Sequence, residues 1–280
     1  MHLRGAEYVL MLSHKEAKMN DIRLMCKLFR ASIRAQTVYK MDFLIGMIGT
    51  LAYNALFLAS IGIITSKFGA IGGFTSQQVV LLYALFEICH GLYGFFLYNM
   101  SNYLSRLVVD GTFDMYLTRP CSVLLQLNGQ KVNFRAFIDL FIGGVCFAAV
   151  AGSSGIVWSV SKVLMLPMFF ISGAFIEFAL SMLMNCGSMV SPNLYSLYGA
   201  YYQLVLIGQR YPLNLFSRGL QAIMTFIFPL GFVNYYTMLY LTGSAGGWIG
   251  LLAPGMAAVF TVLAVAIFNL TLKHYASTGN

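Results

Sequence analysis

The chain has 280 residues, 59% hydrophobic and only 9% charged, with a mean hydropathy of +0.76 and a formal charge of +8. Soluble domains are about 45–50% apolar and about 25% charged, so a soluble globular fold is excluded. Long charge-poor runs satisfy their backbone groups in lipid as helices, and the chain therefore reads as an all-α polytopic membrane protein.

Residues 1–20 read as a cytoplasmic tail. Its apolar patch, Tyr8 to Leu12, lacks the length and the small-residue cleavage site of a secretory signal, and Met19 is an alternative translation start. Residues 21–41 are expected to form an amphipathic interfacial connecting helix. Arg23, Lys27, Arg30 and Arg34 stack on one face beside an apolar face of Ile22, Met25, Phe29 and Ile33, which suits an anionic headgroup boundary. A solvated basic lead-in to the first span is the plainer alternative. A nucleic-acid patch is disfavoured, because the positive charges gather beside spans.

Residues 42–280 form the expected six-span transmembrane domain. The spans are placed at about Phe43–Ile64, Val79–Leu97, Ile138–Ala151, Val163–Cys186, Leu220–Leu241 and Ile249–Leu272, each near the length that a hydrocarbon core of about 30 Å requires. With the N-terminus inside, 15 of the 17 cations fall on the cytoplasmic side and only Lys67 and Lys162 outside, so both termini are expected in the cytoplasm. Asn193 to Gln209 is uncharged and competes as a seventh span. Its shortness and its tyrosines, Tyr195, Tyr198, Tyr201 and Tyr202, favour an interfacial helix. Pro229 breaks the fifth span, and two readings stay open there: a simple kink, or a re-entrant return over Phe232 to Leu241.

Several chemistries find no residues to carry them. A P-loop needs Gly-Lys-Ser/Thr after a glycine-rich turn, and no Gly-Lys pair occurs, so the chain has no nucleotide site of that kind. His2, His14, His90 and His274 have no metal-ligand spacing with one another or with the five cysteines, and no Ser/His/Asp arrangement is legible. Two carboxylates remain inside spans. Glu87 and Glu177 are expensive in lipid and should face the bundle interior, a partner or water. They are either polar anchors on a translocation path or simply hydrogen-bonded between helices. Asp139 is expected to pair with Arg135 four residues before it. The 16 methionines, 23 phenylalanines and 17 tyrosines suit an adaptable apolar pathway and equally suit lipid-facing filling.

Between the second and third spans lies the longest polar interruption after the N-terminus, residues 101–131. Asp110-Gly111 offers a turn, Asp114 a cap for following backbone donors, and Pro120 a helix start. Gly111, Asp114, Leu117, Arg119 and Pro120 in DGTFDMYLTRP are similar to the G-x-x-D-x-x-L-x-R-P loop of ABC-2 type transporter permeases. More specifically, they resemble a bacterial branch that includes viologen-type exporters. YPLNLFSRGLQAIMTFIFPLGFVNYY, with Pro229 and Asn234, and the C-terminal YASTGN agree with it. One departure is that Asn234-Tyr235-Tyr236-Thr237 lacks the proline often found where the fifth span ends.

The resemblance implies a type V exporter-like permease fold in a bacterial cytoplasmic membrane. The loop would be a coupling element, with Asp110, Gly111, Phe113, Asp114, Leu117, Arg119 and Pro120 docking on a separate ABC ATP-binding subunit. Two such subunits would carry the ATP and Mg, beside a second permease, homologous or identical. The cargo would be amphipathic or hydrophobic, a drug, lipid or peptide-like molecule, with Glu87, Glu177, Pro229 and Asn234 on its path. The competing readings are an ATP-independent channel, an intramembrane enzyme using Glu87 or Glu177, and a scaffold that binds an ATPase without moving cargo.

Overall fold

The computed structural model describes residues 40–118, 122–128, 133, 135–190 and 194–275. The expected tail and all but the last two residues of the connecting helix lie outside them. Among the described residues there is no strand, only an isolated bridge between Ile71 and Phe74. Four helices are long and apolar enough to cross a membrane, or five if a sharply bent pair counts as one span.

The first helix, α1 (Lys40–Phe68), buries few of its side chains and presents Ile45, Ile48, Leu56 and Ile63 outward. Its hydroxyls do not disturb it, because Thr50 and Thr65 donate back to Gly46 O at 3.0 Å and Ile61 O at 2.8 Å. A glycine turn leads to α2 (Ser76–Phe96). The helix starts at Thr75 with a reciprocal cap: the Gln78 N–H donates to Thr75 Oγ1 and the Thr75 N–H to Gln78 Oε1. α2 is the most buried of the long helices and the one around which the others assemble.

After α2 come three loop elements, α3 (Tyr98–Val109), the single turn α4 (Asp114–Leu117) and α5 (Val123–Asn128). α6 (Arg135–Val150) then runs antiparallel to α2, so close that an added Cβ at Gly91 would meet Leu140 N at 2.7 Å and one at Gly143 would meet Ile88 N at 2.8 Å. Small residues that let two backbones approach are a standard source of helix association in membranes. α7 (Val160–Val190) lies parallel to α2 and contains Pro167. Gly173 gives it room against Cys89, whose thiol donates to Val233 O at 3.5 Å.

Beyond α7 one expectation is corrected and one open reading is narrowed. The uncharged stretch read as interfacial is α8 (Tyr195–Arg210), which runs back along α7 with Tyr201 and Val205 buried. Its 16 residues span about 24 Å. Just past its C-terminus, Asn214 donates to Gly72 O in the α1–α2 turn at 2.7 Å, so α8 ends at the opposite end of the bundle from where it began. At the fifth span, where a kink and a re-entrant return both stood open, the chain turns back. α9 (Arg218–Ala222) widens into a π-turn at Ile223–Ile227, breaks at Phe228-Pro229, and returns through Leu230–Phe232 into α10 (Tyr235–Thr242), an 80° bend. Both limbs end beside the α1–α2 and α6–α7 turns, because Lys162 Nζ donates to Leu241 O at 2.7 Å and to Val157 O at 2.9 Å.

The bend obeys the backbone accounting. The Phe228 N–H donates to Ile223 O at 2.8 Å, five residues back, and the limbs are tied by a Thr225–Tyr236 hydroxyl contact of 2.9 Å. Gly243, at φ 70°, ends α10 in the left-handed region. α11 (Ala253–His274) closes the fold, parallel to α7 and packed along it.

Candidate functional site

The described part of the loop that joins α2 to α6 is a folded unit. α3 follows α2 across Leu97 and turns Ser101, Leu104, Ser105 and Val108 inward. Ser105 fixes it to α7 by donating to Asn185, at the backbone oxygen over 3.2 Å and also at the side-chain oxygen. At the end of α3, Arg106 Nε and Asp110 Oδ2 are 3.5 Å apart, both largely exposed, a pair worth at most about 1 kcal/mol.

The turn forms where the Asp-Gly pair places it. Gly111 adopts φ 68°, and the Thr112 and Phe113 N–H groups return to Leu107 O at 2.9 and 3.1 Å, satisfying the last carbonyls of α3. The cap differs from expectation. Phe113, not Asp114, precedes α4, and Asp114 lies in its first turn, where a carboxylate meets the positive end of the helix.

Phe113 is also differently placed from the docking role expected of it. Its side chain is fully buried, in a cluster with Leu104 and Val108 of the loop, Met182, Cys186 and Met189 of α7, and Ala264 and Phe268 of α11. Tyr116 is buried as well, and Gln126 of α5 donates to its carbonyl at 3.1 Å. What α4 turns outward is Met115, 53% exposed, and Leu117, 41% exposed, between Thr112 and Thr118. The result is a small apolar knuckle on a base that cannot easily shift. Arg119, Pro120 and Cys121 lie outside the described residues.

A second constellation sits inside the bundle. His90 Nδ1 and Glu177 Oε2 are 2.6 Å apart, bridging α2 to α7. Glu177 is almost wholly enclosed while His90 remains 27% exposed, and the Tyr201 hydroxyl of α8 donates to the Glu177 backbone carbonyl at 3.4 Å. Three helices therefore meet at one acid. Tyr83 and Glu87 share the His90 face of α2. Tyr83 donates to Asn54 of α1. The expected pairing of Asp139 with Arg135 is not among the ion pairs of the described residues; the Arg135 guanidinium lies against Gly46 of α1 instead.

Glu87 and Glu177, expected to face the interior, do so. Pro229 and Asn234 both lie in the hairpin. The proline sits at its break, and the Asn234 amide donates to Gly208 O at 3.0 Å, joining the hairpin to α8. His90 is the functional candidate that sequence spacing misses. The available signal was its position inside an expected span, three residues from Glu87.

Replacing Glu177 by alanine should lower stability by about 1–3 kcal/mol, because it strips a buried partner from His90. Glu177→Gln, which keeps one hydrogen bond, should recover most of the loss; thermal unfolding of the purified chain in detergent distinguishes the two.

The arrangement has three parts: a rigid-based apolar knuckle at one end, a three-helix polar centre within, and a hairpin closing the other end. The sequence model of the family described as ABC-2 family transporter protein matches residues 51–279, which takes in all three features. No curated protein and no solved structure gives a match. Since the family match covers most of the chain, the chain belongs to the ABC-2 transporter family and is a multi-pass membrane protein of the permease kind.

Proposed function

We propose that this chain is the transmembrane permease subunit of an ATP-driven exporter in the bacterial cytoplasmic membrane. Six helices, α1, α2, α6, α7, α8 and α11, cross the bilayer, and the α9–α10 hairpin dips in from the outer side. In this topology Lys67, Lys162, Arg210 and Arg218 lie outside and the remaining 13 of the 17 cations inside, which keeps the positive bias and both termini cytoplasmic.

The observation that carries the reading is the knuckle. A loop that only joined two spans would have no reason to expose Met115 and Leu117 on a turn locked from behind by Phe113. Exposed apolar side chains on a rigid base are what a groove in a second protein binds. That protein is an ATP-binding subunit, present in two copies, which hydrolyses ATP with Mg and pushes on the loop as it closes.

The cargo path follows the polar side of the bundle. His90, Tyr53 and Tyr202 are partly exposed at membrane depth, beside Asp139, and such groups are tolerated against protein or a watered cavity rather than lipid. A second permease, homologous or identical, covers this side and encloses a pathway for an amphipathic or hydrophobic substrate, with Glu87 and Glu177 behind it.

Affinity purification of the tagged chain in mild detergent, followed by mass spectrometry, tests the reading. Recovery of an ATP-binding cassette protein, with or without a second permease, is expected. A chain that comes down alone, even after crosslinking, would favour a channel or an intramembrane enzyme.

A further inference from the structure

We infer that Tyr275 is a positioning residue that ties the cytoplasmic loop to α11, so that movement of the knuckle is delivered to the last helix directly and not only through α2 and α6, which the loop connects. The inference rests on the coupling role proposed above for the loop.

By connectivity alone, a push on residues 98–128 would act on α2 and α6. The packing says otherwise. The buried face of the loop, Leu104, Val108 and Phe113, belongs to one cluster with α7 and α11 and reaches Ala264 and Phe268. Phe113 has no exposed surface with which to contact another protein, so its role is internal. Its ring meets the ring of Tyr275 edge-on, with centroids 5.1 Å apart and planes at 83°, the geometry that aromatic quadrupoles favour.

Tyr275 is placed for this by the end of α11. The helix stops at His274, and Tyr275 takes an extended conformation, φ −66° and ψ 121°, packing its ring against the same cluster. One turn earlier, Thr271 donates to Ile267 O at 3.0 Å and contacts Met189 Sδ at 3.6 Å, which fixes this end of α11 to α7. Phe113 is therefore a wedge with the knuckle on one side and the end of α11 on the other. A force on Met115 has a short, fully packed route to α11.

The test uses spin labels at Val109→Cys, on the loop but off the knuckle, and at Leu270→Cys, both exposed positions, with Cys26, Cys121 and Cys146 replaced by serine. Pulsed dipolar spectroscopy reads the distance between loop and helix in the purified chain in nanodiscs. It is repeated in the complex with its ATP-binding subunit, without nucleotide and with ATP plus vanadate.

In the otherwise native chain the distribution should be narrow and should keep its mean when nucleotide is added, since loop and helix move together. Tyr275→Ala should broaden it by about twofold and let the mean shift with nucleotide, while ATP hydrolysis continues. Tyr275→Phe should behave as the native residue, and Tyr275→Leu, which keeps the apolar bulk without the ring, should fall between and guard against simple unfolding. An unchanged narrow distribution in Tyr275→Ala, in the chain alone and in the complex, would overturn the inference. Failure of the native chain to bind any ATPase would sink the coupling role instead, while the nucleotide-free arm still decides whether Tyr275 holds loop and helix together.

Discussion

Valine at Gly91 or Gly143 is expected to prevent the fold from assembling. At both positions a new Cβ meets backbone rather than a flexible side-chain tip: Leu140 N and Cα at 2.7 and 2.9 Å for Gly91, and Ile88 N at 2.8 Å for Gly143. Backbone cannot swing aside, so α2 and α6 would have to separate along the contact that anchors the bundle. Overpacking commonly costs about 1–3 kcal/mol, and a collision along a whole helix pair belongs at the top of that range or above it. Gly144, beside Gly143 on α6, has open space where its Cβ would be, so Gly144→Ala is the control that should leave stability unchanged. Fluorescence-detected size exclusion after a heating series separates the cases: early aggregation for Gly91→Val and Gly143→Val, and a native profile for Gly144→Ala.

The second large effect falls on function and spares the fold. Met115→Asp with Leu117→Asp should abolish recovery of the ATP-binding subunit while the chain keeps its thermal stability, because both side chains are exposed on the surface of the chain. Apolar anchors at the centre of an interface typically account for about 2 kcal/mol or more each, so the pair should weaken the complex by at least about 100-fold. Asp114→Ala with Arg119→Ala should act differently, uncoupling hydrolysis from transport without loss of the complex. Phe113→Ala is expected to destabilise the chain instead, since it empties a fully buried position.

Much of this was legible in the sequence, for physical reasons that differ from element to element. Composition alone settles a membrane protein. The spans equivalent to α1, α2, α7 and α11 follow from charge-poor runs of sufficient length, and the Asp110-Gly111 turn follows from the need for a left-handed residue after α3. The family is readable from the loop motif, whose place between two spans is as telling as its letters.

Depth was not legible. A tyrosine-rich, uncharged run of 16 residues suits an interface and a bundle core equally well, and hydropathy does not separate them. What decides for α8 is long-range: the Tyr201 hydroxyl on Glu177 and Asn214 on Gly72, pairs 24 and 142 residues apart. The same limit applies to the hairpin. Pro229 marks the break, but whether the chain then continues or returns depends on Lys162 holding Leu241, 79 residues away. His90 was passed over because its partner lies 87 residues further on, beyond the reach of any spacing rule. Phe113 was assigned outward because a short motif does not say which side of a one-turn helix faces the protein.

The central claim is that the α4 knuckle is the surface on which an ATP-binding subunit docks. A photo-crosslinking amino acid at Met115, activated in intact membranes, tests it most directly, with the same group at Val262, an exposed apolar position on α11, as reference. The account predicts that Met115 gives an adduct with an ATP-binding cassette protein and that Val262 does not. Adducts from Met115 that contain only lipid or this chain, or that match those from Val262, would contradict it.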